Sequence, residues 1–311
     1  MSDVKLEGGD ISSLVLSSGG PRAFPAVTTC LEMLIMQKKL RLSNIRHVRG
    51  TSAGAAVALA IAIGMTISEL RQECSIALAH ASEVNFHISN LFACFGVASL
   101  ENIHKCLVDM LHSKGLHPGT TFAELKQHTG RSLCTVATNA MDGNSVVCST
   151  LRTPNLSVVE AVLASMAIPF MLAPRKLYIK EQAILCVDGA LCNPFPLVVP
   201  GEPDLNIKNT LGIRITTMKP TQTTTDVNTL EFIQYASNVA SMMFSKFEES
   251  GTYEYFVITI ECKMRGIGFH LPKAFVTAIE TTAALATARA SQSIISFEYG
   301  NVDCATQTDP V

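Results

Sequence analysis

The stretch Gly50-Thr51-Ser52-Ala53-Gly54 has residue types and spacing suited to nucleophilic chemistry. In a G-x-S-x-G turn the serine occupies a strained position between a strand and a helix. The two glycines let the flanking backbones pass close enough to hold its Oγ outward. A helix starting directly after it aims N–H groups and a dipole at negative charge developing beside that oxygen. The flanks agree: residues 44–49 carry β-branched residues, and Ala53 to Ile63 is dense in Ala, Leu, Ile and Val. The spacing predicts strand, sharp turn and buried helix, with Ser52 the candidate nucleophile and Gly50 and Gly54 the elbow glycines. Small residues that merely permit close helix–strand packing leave the same pattern.

Two further stretches carry chemistry. Ser18-Gly19-Gly20-Pro21-Arg22 follows an apolar run, Ile11 to Ser17, and precedes a helical stretch, Ala23 to Gln37. A glycine pair there can expose backbone N–H donors to an anion, because a Cβ would block a ligand oxygen. An ordinary strand-to-helix turn is the plainer alternative. A dinucleotide site is disfavoured, since Gly19-Gly20 lacks G-x-G-x-x-G spacing. Asp188-Gly189-Ala190 ends the short apolar run Ala183 to Val187, the position at which α/β folds place site groups. An Asx turn or helix cap accounts for the same aspartate.

The elements that must position these residues alternate between strand-like and helix-like along the chain. That pattern predicts an α/β fold, a three-layer α/β/α sandwich on a mostly parallel sheet. The 311 residues are 48% hydrophobic and 16% charged, enough to bury a large core. Lys plus Arg is 24 against Asp plus Glu 26, a net charge of −2, so nothing favours nucleic acid as a partner. Ten cysteines without a CxxC pair are expected to be reduced and buried. No apolar run reaches the ~18 residues of a membrane-spanning helix, and residues 1–10 are polar without a secretory pattern. A cytoplasmic protein able to touch membranes peripherally is expected. No metal-ligand spacing or cofactor motif is present.

Four stretches in order resemble the patatin-like phospholipase family. Leu16-Ser17-Ser18-Gly19-Gly20-Pro21-Arg22 is similar to its glycine-rich oxyanion loop, and Gly50-Thr51-Ser52-Ala53-Gly54 to its nucleophile elbow. Ala164-Ser165-Met166-Ala167-Ile168-Pro169 resembles its helix-ending signature, and Asp188-Gly189-Ala190 with Asn193-Pro194 its aspartate motif. Ser18 and Ala23 stand where the family loop has glycine. The resemblance implies an acyl-hydrolase domain over residues 11–297, with a polar segment 1–10 and a tail 298–311 outside it. It implies a Ser–Asp dyad without histidine: Ser52 as nucleophile, Asp188 as general base supported by Gly189 and Ala190, and an oxyanion hole from Gly19 and Gly20 in the Ser18–Ala23 loop. Arg22 shapes that loop or meets a lipid headgroup. The implied substrates are glycerophospholipids or other acyl lipids at a membrane or micelle surface, cleaved as by a phospholipase A.

Alternatives remain at this level. An acylglycerol lipase or transacylase would use the same site, and a catalytically weak member would bind lipid or protein instead. A Ser–Asp–His triad would need His270, the only histidine after Asp188. Residues 86–100, irregularly apolar, read as a flap over the site or a loop with a short helix. Thr306-Gln307-Thr308 in the tail resembles the core of peptides that add a strand to the dynein light chain, a weak motif.

Overall fold

The computed structural model describes residues 6–82, 87–217, 255–262 and 271–296, and structural statements refer to these. Strand β1 (Leu6–Glu7) is followed by β2 (Ser13–Leu16), helix α1 (Ala23–Met36), β3 (His47–Thr51) and α2 (Ala53–Ala62). Then come α3 (Ile67–Ser82), α4 (Ile88–Cys94), β4 (Gly96–Ala98), α5 (Glu101–Ser113), α6 (Phe122–Thr129), β5 (Ser132–Asn139) and β6 (Ser145–Ser149). The chain continues through α7 (Val158–Ser165), β7 (Phe170–Leu172), β8 (Arg175–Ile179), β9 (Gln182–Asp188), β10 (Thr210–Thr217) and β11 (Phe256–Cys262). Helix α8 (Lys273–Ala290) and β12 (Ile294–Ile295) complete the described elements.

The central sheet runs β11-β10-β2-β3-β5-β9-β8, with β6 also on β5. The strands from β11 to β5 pair in parallel, whereas β6, β9 and β8 join antiparallel. This is the α/β class with a mostly parallel sheet that the sequence predicts. Parallel strands covered on both faces read as continuous apolar runs. In β2, Leu14 and Leu16 accordingly enter the main core and Val15 the opposite face. That second face is covered, among the described residues, by Phe195, Leu197, Val199 and Leu205.

Helix α2 is buried at every position, which its Ala-Gly-Ala-Ala-Val-Ala-Leu-Ala-Ile-Ala sequence permits because it is apolar all round. It packs on β2, β3, β5 and α7, so the helix after the elbow is the centre of the core. The start of α3 is set by a reciprocal cap: Thr66 N–H donates to Glu69 Oε2 at 2.7 Å, and Glu69 N–H donates to Thr66 Oγ1 at 3.3 Å.

Three local expectations are corrected. The strand before the elbow lies at 47–51, not 44–49, because a turn takes the earlier residues: Leu42 to Asn44 form a 3-10 turn, and Asn44 Nδ2 is tied to Gly9 O at 2.8 Å. The short helix expected within 86–100 is α4, but the loop expected beside it contains strand β4, because residues 96–98 pair with β7. Cys94 is exposed, and Cys106 and Cys192 are half-buried, against the expectation of buried thiols; the nine described cysteines are all free. The sequence also reads as an exposed threonine-rich loop at 216–226, of which Thr216 and Thr217 instead belong to β10, and as a helix at 229–247; the rest of that loop, this helix, His270 and the 298–311 tail lie outside the described residues.

Candidate active site

Sheet topology brings the two candidate residues together. On β5, β3 pairs with residues 132–136 and β9 with residues 137–139. Strand β6 pairs with residues 134–138, overlapping both, so β6 holds one edge of β5 while β3 and β9 share the other, end to end. The carboxyl end of β3, Thr51 opposite Val136, therefore meets the carboxyl end of β9, Asp188 opposite Ala137. Ser52 follows directly on the first.

At that junction Ser52 Oγ donates a hydrogen bond to Asp188 Oδ2 at 2.7 Å. The other carboxylate oxygen, Oδ1, accepts from Ala190 N–H at 2.8 Å, so the Asx turn and the bond to serine are made by one side chain. Asp188 is 1% exposed and Ser52 5%. Burial pushes the Asp188 carboxyl from 3.8 up to about 7, against the bonds from Ala190 N–H and Ser52 that lower it. A carboxylate tuned there can accept a proton near neutral pH.

The elbow is strained as the pattern predicts. Ser52 has φ 56° and ψ −129°, a conformation disfavoured for a residue with a side chain. A Cβ on Gly50 would lie 2.3 Å from Gly54 O, and one on Gly54 would lie 2.4 Å from Ser17 O. Both glycines are therefore required by close approach. Gly189 is equally confined: a Cβ there would meet Val136 O at 1.9 Å.

The glycine pair lies beside this junction. Gly20 has φ 55°, which favours glycine, whereas Gly19, at φ 177°, is extended. Their N–H groups donate to no other group among the described residues. Arg22 Nε donates to Gly19 O at 3.2 Å and closes the loop on itself. Ser18 N–H is held by Pro194 O at 2.7 Å, which couples the glycine loop to the aspartate loop. Ala23 sits at φ −60°, ψ −36°, and Ser18 is not among the residues with positive φ. Neither position needs glycine, so both departures are accommodated by the backbone.

A narrow cavity of about 80 Å³ opens at Ser52 and Gly20. One wall is the α2 stripe Ala53, Ala56, Val57 and Ala60, one face at helical spacing; Leu70 and Ala77 of α3 and Ile103, Leu107 and Met110 of α5 form another. Glu73 is the charged residue in this lining; burial and the nearby Asp109 and Glu69 raise its carboxyl. Sequence reasoning missed this cavity and also Ser165, whose hydroxyl accepts from Ser52 N–H at 2.9 Å. The only signal for Ser165 was its place in the Ala164–Pro169 stretch.

A model of the patatin-like phospholipase family matches residues 14–199, more than half of the chain. The chain belongs to the patatin-like phospholipase family. All four motif stretches fall within this patatin-like match. The probable lipid hydrolase 463L of Invertebrate iridescent virus 6 is 25% identical over 190 residues, covering 60% of this chain and 61% of that protein. A protein of Acanthamoeba polyphaga mimivirus is 25% identical over 173 residues, 55% of this chain and 56% of its own length. The match thus spans little more than half of either relative. Among solved structures, VipD from Legionella pneumophila superposes with a TM-score of 0.58 at 17% identity, covering 91% of this chain and 67% of VipD. ExoU, in its complex with SpcU from the type III secretion system of Pseudomonas aeruginosa, gives 0.52 at 17% identity, covering 93% of this chain and 52% of that one. At such identities the likeness is one of fold. Among the described residues, no helix is long and apolar enough to cross a membrane.

Proposed function

We propose that this patatin-like chain is a lipid acyl hydrolase of the phospholipase A type, working through Ser52 and Asp188 within a domain of residues 11–297. The observation that carries this reading is the 2.7 Å bond from Ser52 Oγ to a buried carboxylate whose pKa is raised to about 7. As Ser52 Oγ attacks the ester carbonyl carbon, its proton passes to Asp188 and an Oγ–C bond forms. The oxyanion is met by the N–H groups of Gly19 and Gly20, a stabilisation of about 3 kcal/mol per donor in serine hydrolases. Collapse breaks the bond to the leaving alcohol, which takes the proton from Asp188. Water then attacks the acyl-enzyme and gives Asp188 its proton. The Oγ–C bond breaks, the fatty acid departs and Ser52 regains its hydrogen. An alcohol in place of water gives transacylation.

The apolar cavity suits an acyl chain, and its lining along α2 begins at the nucleophile. It is smaller than the ~150 Å³ cavity that admits benzene, so a long chain must part the wall formed by α3 and α5. Beside it, Phe170 lies between the lining residues Ile168 and Leu172, and Gly96, which pairs with Phe170, follows Phe95. Phe92, Phe95 and Phe170 are 84%, 66% and 48% exposed, apolar groups placed to meet a lipid surface at the cavity's rim.

The test is fatty-acid release from phosphatidylcholine vesicles by the purified protein, beside Ser52→Ala, Asp188→Asn and His270→Ala. Loss in the first two with retention in the third supports the dyad. Loss in His270→Ala while folded favours the triad, and a wild type silent on phospholipids and simple esters favours a binding protein.

A further inference from the structure

We infer that Ser165 is a positioning residue that sets the nucleophile's attack geometry, an inference that rests on the hydrolase reading above. Ser52 N–H lies between the last ladder pair of β3 with β5 and the first turn of α2, at a φ of 56° that belongs to neither element. A buried N–H left without an acceptor is destabilising and leaves the residue free to relax. Ser165 Oγ supplies that acceptor at 2.9 Å. Its own hydrogen goes to Val136 O at 2.6 Å, so the hydroxyl bridges the elbow to β5 at the end of their ladder. Ser165 is fully buried and uses the hydroxyl in both directions.

The same stretch holds the other partner. Two residues beyond Ser165, Ala167 O accepts Asp188 N–H at 2.8 Å. Two residues within a three-residue span at the end of α7, Ser165 and Ala167, therefore anchor the backbones of both Ser52 and Asp188. These anchors are themselves fixed: Met166 N–H bonds back to Val162 O at 3.0 Å, and Val158, Val159, Ala161, Val162, Leu163 and Ala164 are all buried. Pro169 cannot continue the helix, so the chain turns away immediately after the anchor. The backbone N–H groups of Ser52 and Asp188 are thus both tied to one buried segment. The single side-chain link in that arrangement is the Ser165 hydroxyl, which lies outside the cavity lining and acts through Ser52.

The experiment compares wild type, Ser165→Ala and Ser165→Thr in three measurements: hydrolysis of a soluble butyryl ester, the rate at which a fluorophosphonate probe labels Ser52, and thermal melting. In the labelling step Ser52 Oγ bonds phosphorus, fluoride leaves and the serine proton passes to Asp188. The expected result for Ser165→Ala is a kcat lowered about tenfold or more with KM within about twofold, and labelling slowed in the same proportion. The loss persists at temperatures where melting shows the variant folded, and Ser165→Thr, which keeps the hydroxyl, recovers most of the rate. Wild-type kcat and labelling in Ser165→Ala overturn the inference and leave the dyad standing. A loss that tracks only the unfolded fraction overturns it too, by reducing Ser165 to a packing role. A wild type that neither hydrolyses the ester nor takes the probe overturns the hydrolase reading together with this inference.

Discussion

Ser52 Oγ and Asp188 Oδ2 lie 2.7 Å apart although 136 positions separate them in the chain. They meet because two strands of opposite direction, β3 and β9, end against each other on one edge of β5. A parallel β9 would have carried Asp188 to the far end of its strand. The antiparallel turn at the sheet's edge is thus as important to the site as the elbow itself.

The raised pKa of Asp188 links activity and stability to pH in opposite directions. If Asp188 is the base it must be ionised, so kcat/KM should rise with pH and level off above about 7. For stability, the folded pKa lies above the unfolded one, so the folded state binds more protons between them. Stability from this group is full below about 4, falls as pH rises to about 7, and is flat beyond. Replacing Asp188 by Asn removes the buried charge, and the melting temperature of Asp188→Asn relative to wild type should be higher at pH 8 than at pH 4. A difference independent of pH would contradict this.

The glycine loop separates positions that need glycine from those that do not. Gly20→Ala puts a side chain at φ 55° and should lower kcat for a soluble ester by tenfold or more. Ser18→Gly and Ala23→Gly, at positions that demand no left-handed backbone, should stay within about threefold of wild type. Activity gained by a large factor in either would mean that the departures had disabled the loop.

Ala60 lies eight residues beyond Ser52 on the cavity face of α2, about 12 Å along the axis at 1.5 Å per residue. A larger side chain there should block the deep end of the cavity. Ala60→Leu is expected to reduce hydrolysis of a palmitoyl ester about tenfold relative to a butyryl ester, the size of discrimination a few methylenes allow. Equal effects on both esters would show that the chain does not run along α2.

The exposed phenylalanines at the rim should matter at a lipid surface and nowhere else. Phe92→Ser combined with Phe95→Asn and Phe170→Asn, asparagine being tolerated at the positive φ of the latter two, should cut vesicle hydrolysis about tenfold. Turnover of a soluble butyryl ester should change less than twofold. Matching losses on both substrates would deny these residues an interfacial role.

Much of the site was legible because its requirements are local. Gly50 and Gly54 advertise a close crossing, and Gly19-Gly20 and Asp188-Gly189 follow apolar runs at strand ends. The α/β class followed from alternating patterns in the same way. What local pattern could not show is pairing direction: residues 183–187 read as an inner strand, and only the ladder with β5 and β8 reveals β9 as antiparallel. Ser165 was hidden for a related reason, since its bond to Ser52 spans 113 positions and a serine ending a helix has many ordinary uses. The exposure of Cys94 was missed because α4 carries apolar Phe92 outward, where a core pattern would bury it.

The central claim is that Ser52 forms a covalent acyl intermediate with Asp188 as its base. Rapid quenching of the protein during turnover of a slow ester, followed by intact mass and peptide mapping, measures this directly. The account predicts one acyl group on Ser52 in wild type, none in Ser52→Ala, and formation slowed by about a thousandfold in Asp188→Asn. An adduct on another residue, or acylation of Ser52 at the wild-type rate in Asp188→Asn, would contradict it.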